Sequence, residues 1–182
     1  MTIDEQKKEL RKRVRTLKQQ FSLEEKKQKS ESIWQQLELT PEFISAKTIM
    51  LYWSMDDEVY THSFVRKWYQ KKEIILPIVN GDDLELCIFS GDSCLVPGDR
   101  YGILEPNGER FSEKHKIDLI VVPGVAFDKQ NNRMGRGKAY YDKLLKTTNA
   151  YKIGVCFDFQ LFDIVPHDEN DVKMDKVVGG SK

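Results

Sequence analysis

Four short, almost unbroken apolar runs constrain this chain more than any other feature. They are Thr48-Ile49-Met50-Leu51-Tyr52-Trp53, Glu73-Ile74-Ile75-Leu76-Pro77-Ile78-Val79, Ile117-Asp118-Leu119-Ile120-Val121-Val122 and Tyr151-Lys152-Ile153-Gly154-Val155-Cys156-Phe157. Runs this short and this rich in β-branched residues suit strands covered on both faces. Between the first two, Phe64, Val65, Trp68 and Tyr69 recur at helical spacing within Thr61 to Lys71. Between the last two, Lys138 to Lys146 again reads as helix. Strand, helix, strand repeated predicts a parallel α/β sheet. Residues 80–111 break the rhythm with Gly81, Gly91, Pro97, Gly98, Gly102, Pro106 and Gly108 around a strand-like Leu84 to Phe89. An antiparallel excursion and a long loop are expected there.

The N-terminal third is helical. Leu10, Val14, Leu17 and Phe21 mark one face of an amphipathic helix. Ser22 followed by Glu25 is a capping box opening a second helix, with Ile33, Trp34 and Leu37 on its apolar face. Thr40-Pro41 reads as a cap with proline in the first helical position. No repeat or linker divides the chain, so its 182 residues (1–182) are expected to form one domain.

Charge and cysteine content exclude several functions. Twenty-nine Lys plus Arg balance 29 Asp plus Glu, which argues against a wholly basic nucleic-acid coat. No apolar window is long enough for a membrane span. No apolar segment follows the charged start Met1 to Lys8, so no secretory signal is expected. Cys87, Cys94 and Cys156 have neither even number nor metal-ligand spacing, which favours buried thiols and a cytoplasmic location. His62, His115 and His167 fall in no zinc or nucleophile pattern.

The charges are unevenly placed. Residues 1–20 hold Lys7, Lys8, Arg11, Lys12, Arg13, Arg15 and Lys18 against three acids. Residues 158–175 hold six acids against Lys173. The zero sum therefore conceals opposite regions that a fold can bring together.

Chemistry concentrates in Pro123-Gly124-Val125-Ala126-Phe127-Asp128 and in Arg133-Met134-Gly135-Arg136-Gly137-Lys138-Ala139-Tyr140-Tyr141-Asp142. This stretch follows a predicted buried strand and runs into a predicted helix, where open parallel sheets bind ligands. Gly135 and Gly137 allow close backbone approach, and Arg133, Arg136 and Lys138 supply cations. A helix start adds a weak attraction for anions, about 0.3–1 kcal/mol. Together these suit polyphosphate, although a plain glycine turn with surface cations stays open on the loop alone. Neither a Walker A loop nor G-x-G-x-x-G is present.

At these residues the chain resembles the 5-formyltetrahydrofolate cyclo-ligase (methenyltetrahydrofolate synthetase) family. Residues 133–142 are similar to its R-[LM]-G-x-G-x-G-Y-Y-D signature, and 123–128 to its P-G-[LV]-A-F-D. Lys7 to Arg11, Glu58 to Thr61, Gly102 to Pro106 and Asn170 to Asp175 resemble further family motifs in the same order. Ala139 departs from the pattern, standing where the family usually has glycine.

The resemblance implies a three-layer α/β fold, with a mostly parallel sheet between helices, like sugar-phosphate isomerases and CoA-transferases. It implies ATP- and Mg2+-dependent conversion of 5-formyltetrahydrofolate to 5,10-methenyltetrahydrofolate. ATP would meet Lys7, Lys8, Arg11, Arg133, Gly135, Arg136, Gly137, Lys138, Ala139, Tyr140 and Tyr141, with Arg136 and Lys138 catalytic. Folate would meet Arg11, Met55, Glu58, Tyr60, Arg136 and Tyr140. Asp142 and Asp171 match the Mg2+ positions, and Asp175 is a weaker candidate. Trp53 and Phe127 either line the folate slot or pack in the core. The partners would be small molecules, with neither nucleic acid nor membrane, and the chain would be a monomer. Rival readings are a sugar-phosphate isomerase-like enzyme and a nucleotide- or RNA-binding module. The basic first helix lacks the exposed aromatics that stack bases.

Overall fold

The computed structural model describes residues 1–98 and 104–180. Gly102 and Ile103 of the motif at 102–106 lie outside the described residues. In chain order the helices are α1 (Ile3–Lys18), α2 (Leu23–Glu38), α3 (Pro41–Ser45), α4 (His62–Trp68) and α5 (Tyr140–Leu145). The strands are β1 (Thr48–Met50), β2 (Glu73–Asn80), β3 (Asp83–Ile88), β4 (Leu95–Pro97) and β5 (Leu104–Pro106). They continue as β6 (Leu119–Pro123), β7 (Ala126–Asp128), β8 (Arg133–Met134), β9 (Tyr151–Cys156), β10 (Leu161–Phe162) and β11 (Lys176–Gly179).

Six strands form the main sheet in the order β11-β9-β6-β1-β2-β3. All neighbours are parallel except β2 and β3. The four apolar runs supply β1, β2, β6 and β9. Their near-continuous hydrophobicity has the expected cause. On β6, Leu119 and Val121 face a cluster with Ile33, Leu37, Phe43 and Phe64, while Ile120 and Val122 face one with Phe127, Leu144 and Leu145. Helices α2, α3 and α4 thus cover one face and α5 the other, giving three layers. The excursion at 80–111 is the β3 hairpin arm plus an antiparallel β4–β5 ribbon.

Both predicted helix starts after α1 are present as read. Ser22 Oγ accepts from the Glu25 N–H, and Glu25 accepts in return from the Ser22 N–H. Thr40 Oγ1 accepts from the Phe43 N–H, with Pro41 opening α3. The α4 and α5 helices are shorter than the sequence pattern suggests.

Two features were not foreseen. Strand β11 adds an edge to the sheet, and β10, β7 and β8 form a separate three-stranded sheet. Helix α1 lies on this small sheet, with Val14 against Val125, Ala126, Met134 and Val165. The glycine at 124 makes room for Phe127, whose ring is fully buried; a Cβ there would sit 2.6 Å from it. Phe127 is therefore core and does not line a ligand slot.

The strand order fixes where a ligand can sit. From β1 the chain moves outward to β2 and β3, while from β6 it moves the other way to β9 and β11. The order reverses between β1 and β6. Ligands of open α/β sheets bind at the carboxyl ends of strands flanking such a reversal. Residues 51–61 leave β1 there, and the 124–139 segment leaves β6 there.

Candidate functional site

Five chain segments converge at this edge. Helix α1 enters with a buried stripe that contains charge: Lys7, Val14 and Lys18 are buried, and Arg11 is half-buried between them. Lys7 Nζ donates to Asp168 Oδ2 (2.8 Å) and Asp171 Oδ2 (2.6 Å). Burial alone would favour the neutral amine, but the two carboxylates prevail and raise the Lys7 pKa. Arg11 Nε donates to the Gly135 carbonyl (3.0 Å) and so pins the loop 135–139 to α1. Lys8 lies off this stripe and is exposed.

The loop has two backbone demands. Gly137 has φ +100°, and a Cβ there would meet the Arg11 guanidinium only at ordinary contact distance, 3.5 Å, so the backbone and not the space demands glycine. Only glycine adopts that conformation without strain. Ala139 has φ 56°, the left-handed region, and caps α5 without a side-chain bond. This is the physical reason a glycine suits that position; alanine costs about 1–2 kcal/mol there. The six residues of α5 begin after Ala139, so Lys138 belongs to the loop rather than sitting one helical turn before Asp142. A helix this short contributes little field, and the loop cations carry most of the attraction for an anion.

Those cations differ in state. Arg133 is not a mobile surface cation: it is 5% exposed. Its Nε donates to the Pro123 carbonyl (2.8 Å), Nη1 lies 3.6 Å from Asp142 Oδ2, and the guanidinium sits 5.2 Å over the Tyr141 ring. Arg136 reaches the opposite way, with Nη2 at 2.7 Å from Asp57 Oδ1 and 3.2 Å from Glu58 Oε1. Lys138 is exposed and has no ion pair or side-chain hydrogen bond recorded among the described residues.

The folate-side candidates lie on the loop after β1. Glu58 Oε2 accepts the Met55 N–H (2.9 Å), and the Met55 side chain is exposed. Burial, the larger effect, pushes the Glu58 pKa up, and Met55 and Arg136 pull it only part of the way back. Tyr60 is held through its backbone, its N–H donating to Ser30 Oγ and its carbonyl accepting from Trp34 Nε1. Trp53 stacks on His62 at 3.8 Å and packs beside Phe89, which makes it part of the wall behind the loop. Tyr140 turns to the β2–β3 hairpin, its hydroxyl donating to the Gly81 carbonyl (3.2 Å). Tyr141 is the inward member of the pair; burial and then the Glu58 charge push its phenol up.

Asp142 Oδ1 accepts the Val172 N–H (3.0 Å), which brings it beside Asp171. Two hard carboxylates flank one peptide at the edge of the loop. No cluster of three or more metal-ligating side chains occurs among the described residues. That donor set fits Mg2+, which takes one or two carboxylates and completes its shell with phosphate oxygens and water. Asp175 does not join them. Its Oδ2 accepts the Lys152 N–H (2.7 Å) near the start of β9, at the opposite end of the sheet. The three thiols are buried, and burial raises Cys156 to about 12. They play the structural part expected of them.

The fold is shared with known proteins. A family model described as the 5-formyltetrahydrofolate cyclo-ligase family matches residues 3–180. The chain belongs to that family. Among curated cyclo-ligases, the mouse protein is 31% identical, covering 93% of this chain and 89% of its own length. A solution structure of Aquifex aeolicus 5,10-methenyltetrahydrofolate synthetase superposes with a TM-score of 0.83 at 39% identity, covering 95% of this chain and 89% of that one. A Mycoplasma pneumoniae 5,10-methenyltetrahydrofolate synthetase gives 0.74 at 29% identity, covering 94% and 97%. Within the cyclo-ligase fold the three-layer sheet is confirmed.

Several residues around this candidate site carry little signal in the sequence. Lys18 continues the stripe Lys7, Arg11, Val14 at helical spacing, a signal that was present but masked by the many neighbouring cations. Asp57 and Asp168 stand beside recognised acids and had no spacing of their own to mark them. Asp128 was read only as part of a motif; it is 1% exposed and holds the turn before Arg133.

Proposed function

We propose that this chain converts 5-formyltetrahydrofolate to 5,10-methenyltetrahydrofolate, with ATP as co-substrate and Mg2+ as the metal. The observation that carries this reading is the junction at Arg136. Its guanidinium joins a glycine- and cation-rich phosphate loop to the Glu58 loop that suits a pterin, at the reversal of strand order. One substrate on each side would bring a γ-phosphate and a formyl oxygen together.

The formyl oxygen of an N5 amide is a poor leaving group. Attack of that oxygen on the γ-phosphorus, with loss of ADP, makes it a phosphate ester. N10 then attacks the activated carbon and gives up its proton to the departing phosphate or to solvent, the ring closes, and inorganic phosphate leaves with the oxygen. Such a reaction needs position and charge neutralisation more than covalent help. Gly135 and Gly137 let the backbone approach the phosphates, and Lys138 and Arg136 neutralise the transferring group. Lys7 and Arg11 supply further cations from α1, with Lys8 an outlying candidate off their stripe. Arg11, Met55, Glu58, Tyr60, Arg136 and Tyr140 are the folate-side candidates, and Tyr140 and Tyr141 with Ala139 bound the nucleotide side. Asp142 and Asp171 would hold Mg2+, which would supply charge neutralisation to the phosphates. Arg133, behind Asp142, balances that carboxylate from inside.

Glu58 offers a first quantitative check. Its folded-state pKa lies above the ordinary carboxylate value because burial disfavours the charge. The ionised form therefore costs stability at neutral pH, and the cost vanishes as pH falls below the ordinary carboxylate range. Glu58→Gln keeps an acceptor for the Met55 N–H and removes the buried charge. The variant is expected to melt higher than wild type at pH 7, with the difference shrinking toward about pH 4. Its kcat/KM for 5-formyltetrahydrofolate is expected to fall about 10–100-fold, since a charged acceptor of pterin donors is lost. The function itself is tested by mixing protein, folate and Mg2+ with and without ATP. Methenyl product matched one-to-one by ADP supports it, and product without ATP, or none with it, refutes it.

A further inference from the structure

We infer that Asp57 and Lys18 are positioning residues that hold Arg136 between the phosphate loop and the Glu58 loop. The inference deepens the proposed function and rests on it. Lysines in the last turn of a helix ordinarily stay in solvent, where the helix end favours them. Lys18, in the last turn of α1, instead points inward with its side chain 8% exposed. Among the described residues its recorded ion-pair partner is Asp57, with Nζ 3.1 Å from Oδ2. The other oxygen of the same carboxylate takes Arg136 at 2.7 Å. Asp57 thus bridges two cations from two segments far apart in the chain, and Glu58 is a second, longer acceptor for Arg136 at 3.2 Å.

The local charges balance. Asp57 and Glu58 oppose Lys18 and Arg136, so the four sum to zero. Asp57 accepts the shorter bond from Arg136, so Glu58 keeps capacity to meet the donor edge of a pterin. Among the described residues, removing the Asp57 charge leaves Glu58 as the sole carboxylate for Arg136. A guanidinium–carboxylate pair is among the stronger hydrogen-bonded contacts. Glu58 would then be occupied by Arg136, and the pterin would have to displace it. Direction follows from this: the folate step suffers, while the phosphate side, where Lys138 stands apart from these acids, suffers less.

Two readouts test this. In steady-state kinetics, Asp57→Asn and Lys18→Met are each expected to raise KM for 5-formyltetrahydrofolate about 10-fold and to lower kcat as well, because Arg136 also faces the transferring group, with KM for ATP within about 3-fold of wild type. The double variant should be no worse than the worse single one, because the pair acts as a unit. Lys18→Arg should restore a low KM. The second readout needs no turnover. Trypsin cleavage after Arg136, measured well below the melting temperature of both proteins, should be slow in wild type and several-fold faster in Asp57→Asn, which is expected to melt lower because the buried Lys18 loses its charge partner. Wild-type KM and wild-type cleavage in Asp57→Asn would overturn the inference, as would a parallel rise of both KM values. An inactive wild type that still shows Asp57-dependent protection of Arg136 would refute the proposed function and leave the positioning intact.

Discussion

Lys138→Ala is expected to lower kcat/KM for ATP by about 10²–10⁴-fold, the range seen when one charge-stabilising group is lost from acyl- or phosphoryl-transfer sites. The reason lies in how the loop cations are held. Arg133 is buried against Pro123 and Asp142, Arg11 is held by the Gly135 carbonyl, and Arg136 is shared between Asp57 and Glu58. Lys138 is exposed on the same loop and is not among these pairs. It can reach an incoming phosphate without giving up an internal partner among the described residues. Folate binding measured without nucleotide should change less than about 3-fold in Lys138→Ala, because Glu58 and its loop are untouched. Equal loss in both measurements would mean that Lys138 is not on the phosphate side. Lys138→Arg should recover part of the activity, since charge is retained but the geometry is not.

Asp128→Ala should be the most destabilising of the substitutions considered, by about 3–5 kcal/mol, seen as a fall in melting temperature of roughly 10 °C or more. The carboxylate is 1% exposed and accepts four hydrogen bonds. They come from the N–H groups of Gln130, Asn132 and Val165 and from Asn132 Nδ2, at 2.9–3.0 Å. Alanine would strand the Asn132 and Val165 donors in the interior, each at about 1–3 kcal/mol before relaxation recovers part of it, while the Gln130 N–H can turn to water. The turn they close precedes Arg133, and Val165 packs against α1, so loop and helix should loosen together. Burial alone would raise the Asp128 pKa, but the four donors outweigh it and the carboxyl is held below its ordinary value. Its contribution to stability is therefore present above the ordinary carboxylate range and is lost as pH falls through the depressed value. Asp128→Ala should consequently lose less stability on acidification than wild type. An unchanged melting temperature would show that the network is not formed.

The comparison with the sequence separates local from non-local information. The apolar runs were legible because a strand buried on both faces must be hydrophobic along its length, whatever lies beside it. Capping at Ser22 and Thr40 was legible because the partners are three residues away. Strand β11 and the β10-β7-β8 sheet were not, since segments of two to four residues become strands only through neighbours supplied by distant parts of the chain. The reversal between β1 and β6 is likewise a property of strand order and has no local signature.

At the site, residue type was legible and state was not. Arg133, Arg136 and Lys138 look alike as a string of cations, yet one is buried, one is shared by two acids and one is exposed. Phe127 and Asp175 were candidates by position, but burial in the core and the far end of the sheet remove them. Asp57 and Lys18 became visible only when α1 and the loop after β1 were seen side by side.

The central claim is that ATP activates the formyl oxygen at this junction. Folate carrying 18O in its formyl group, incubated with the protein, ATP and Mg2+, tests it most directly. The label is expected to leave in inorganic phosphate, in step with methenyl product and ADP. Label released as water, with unlabelled phosphate, would contradict it.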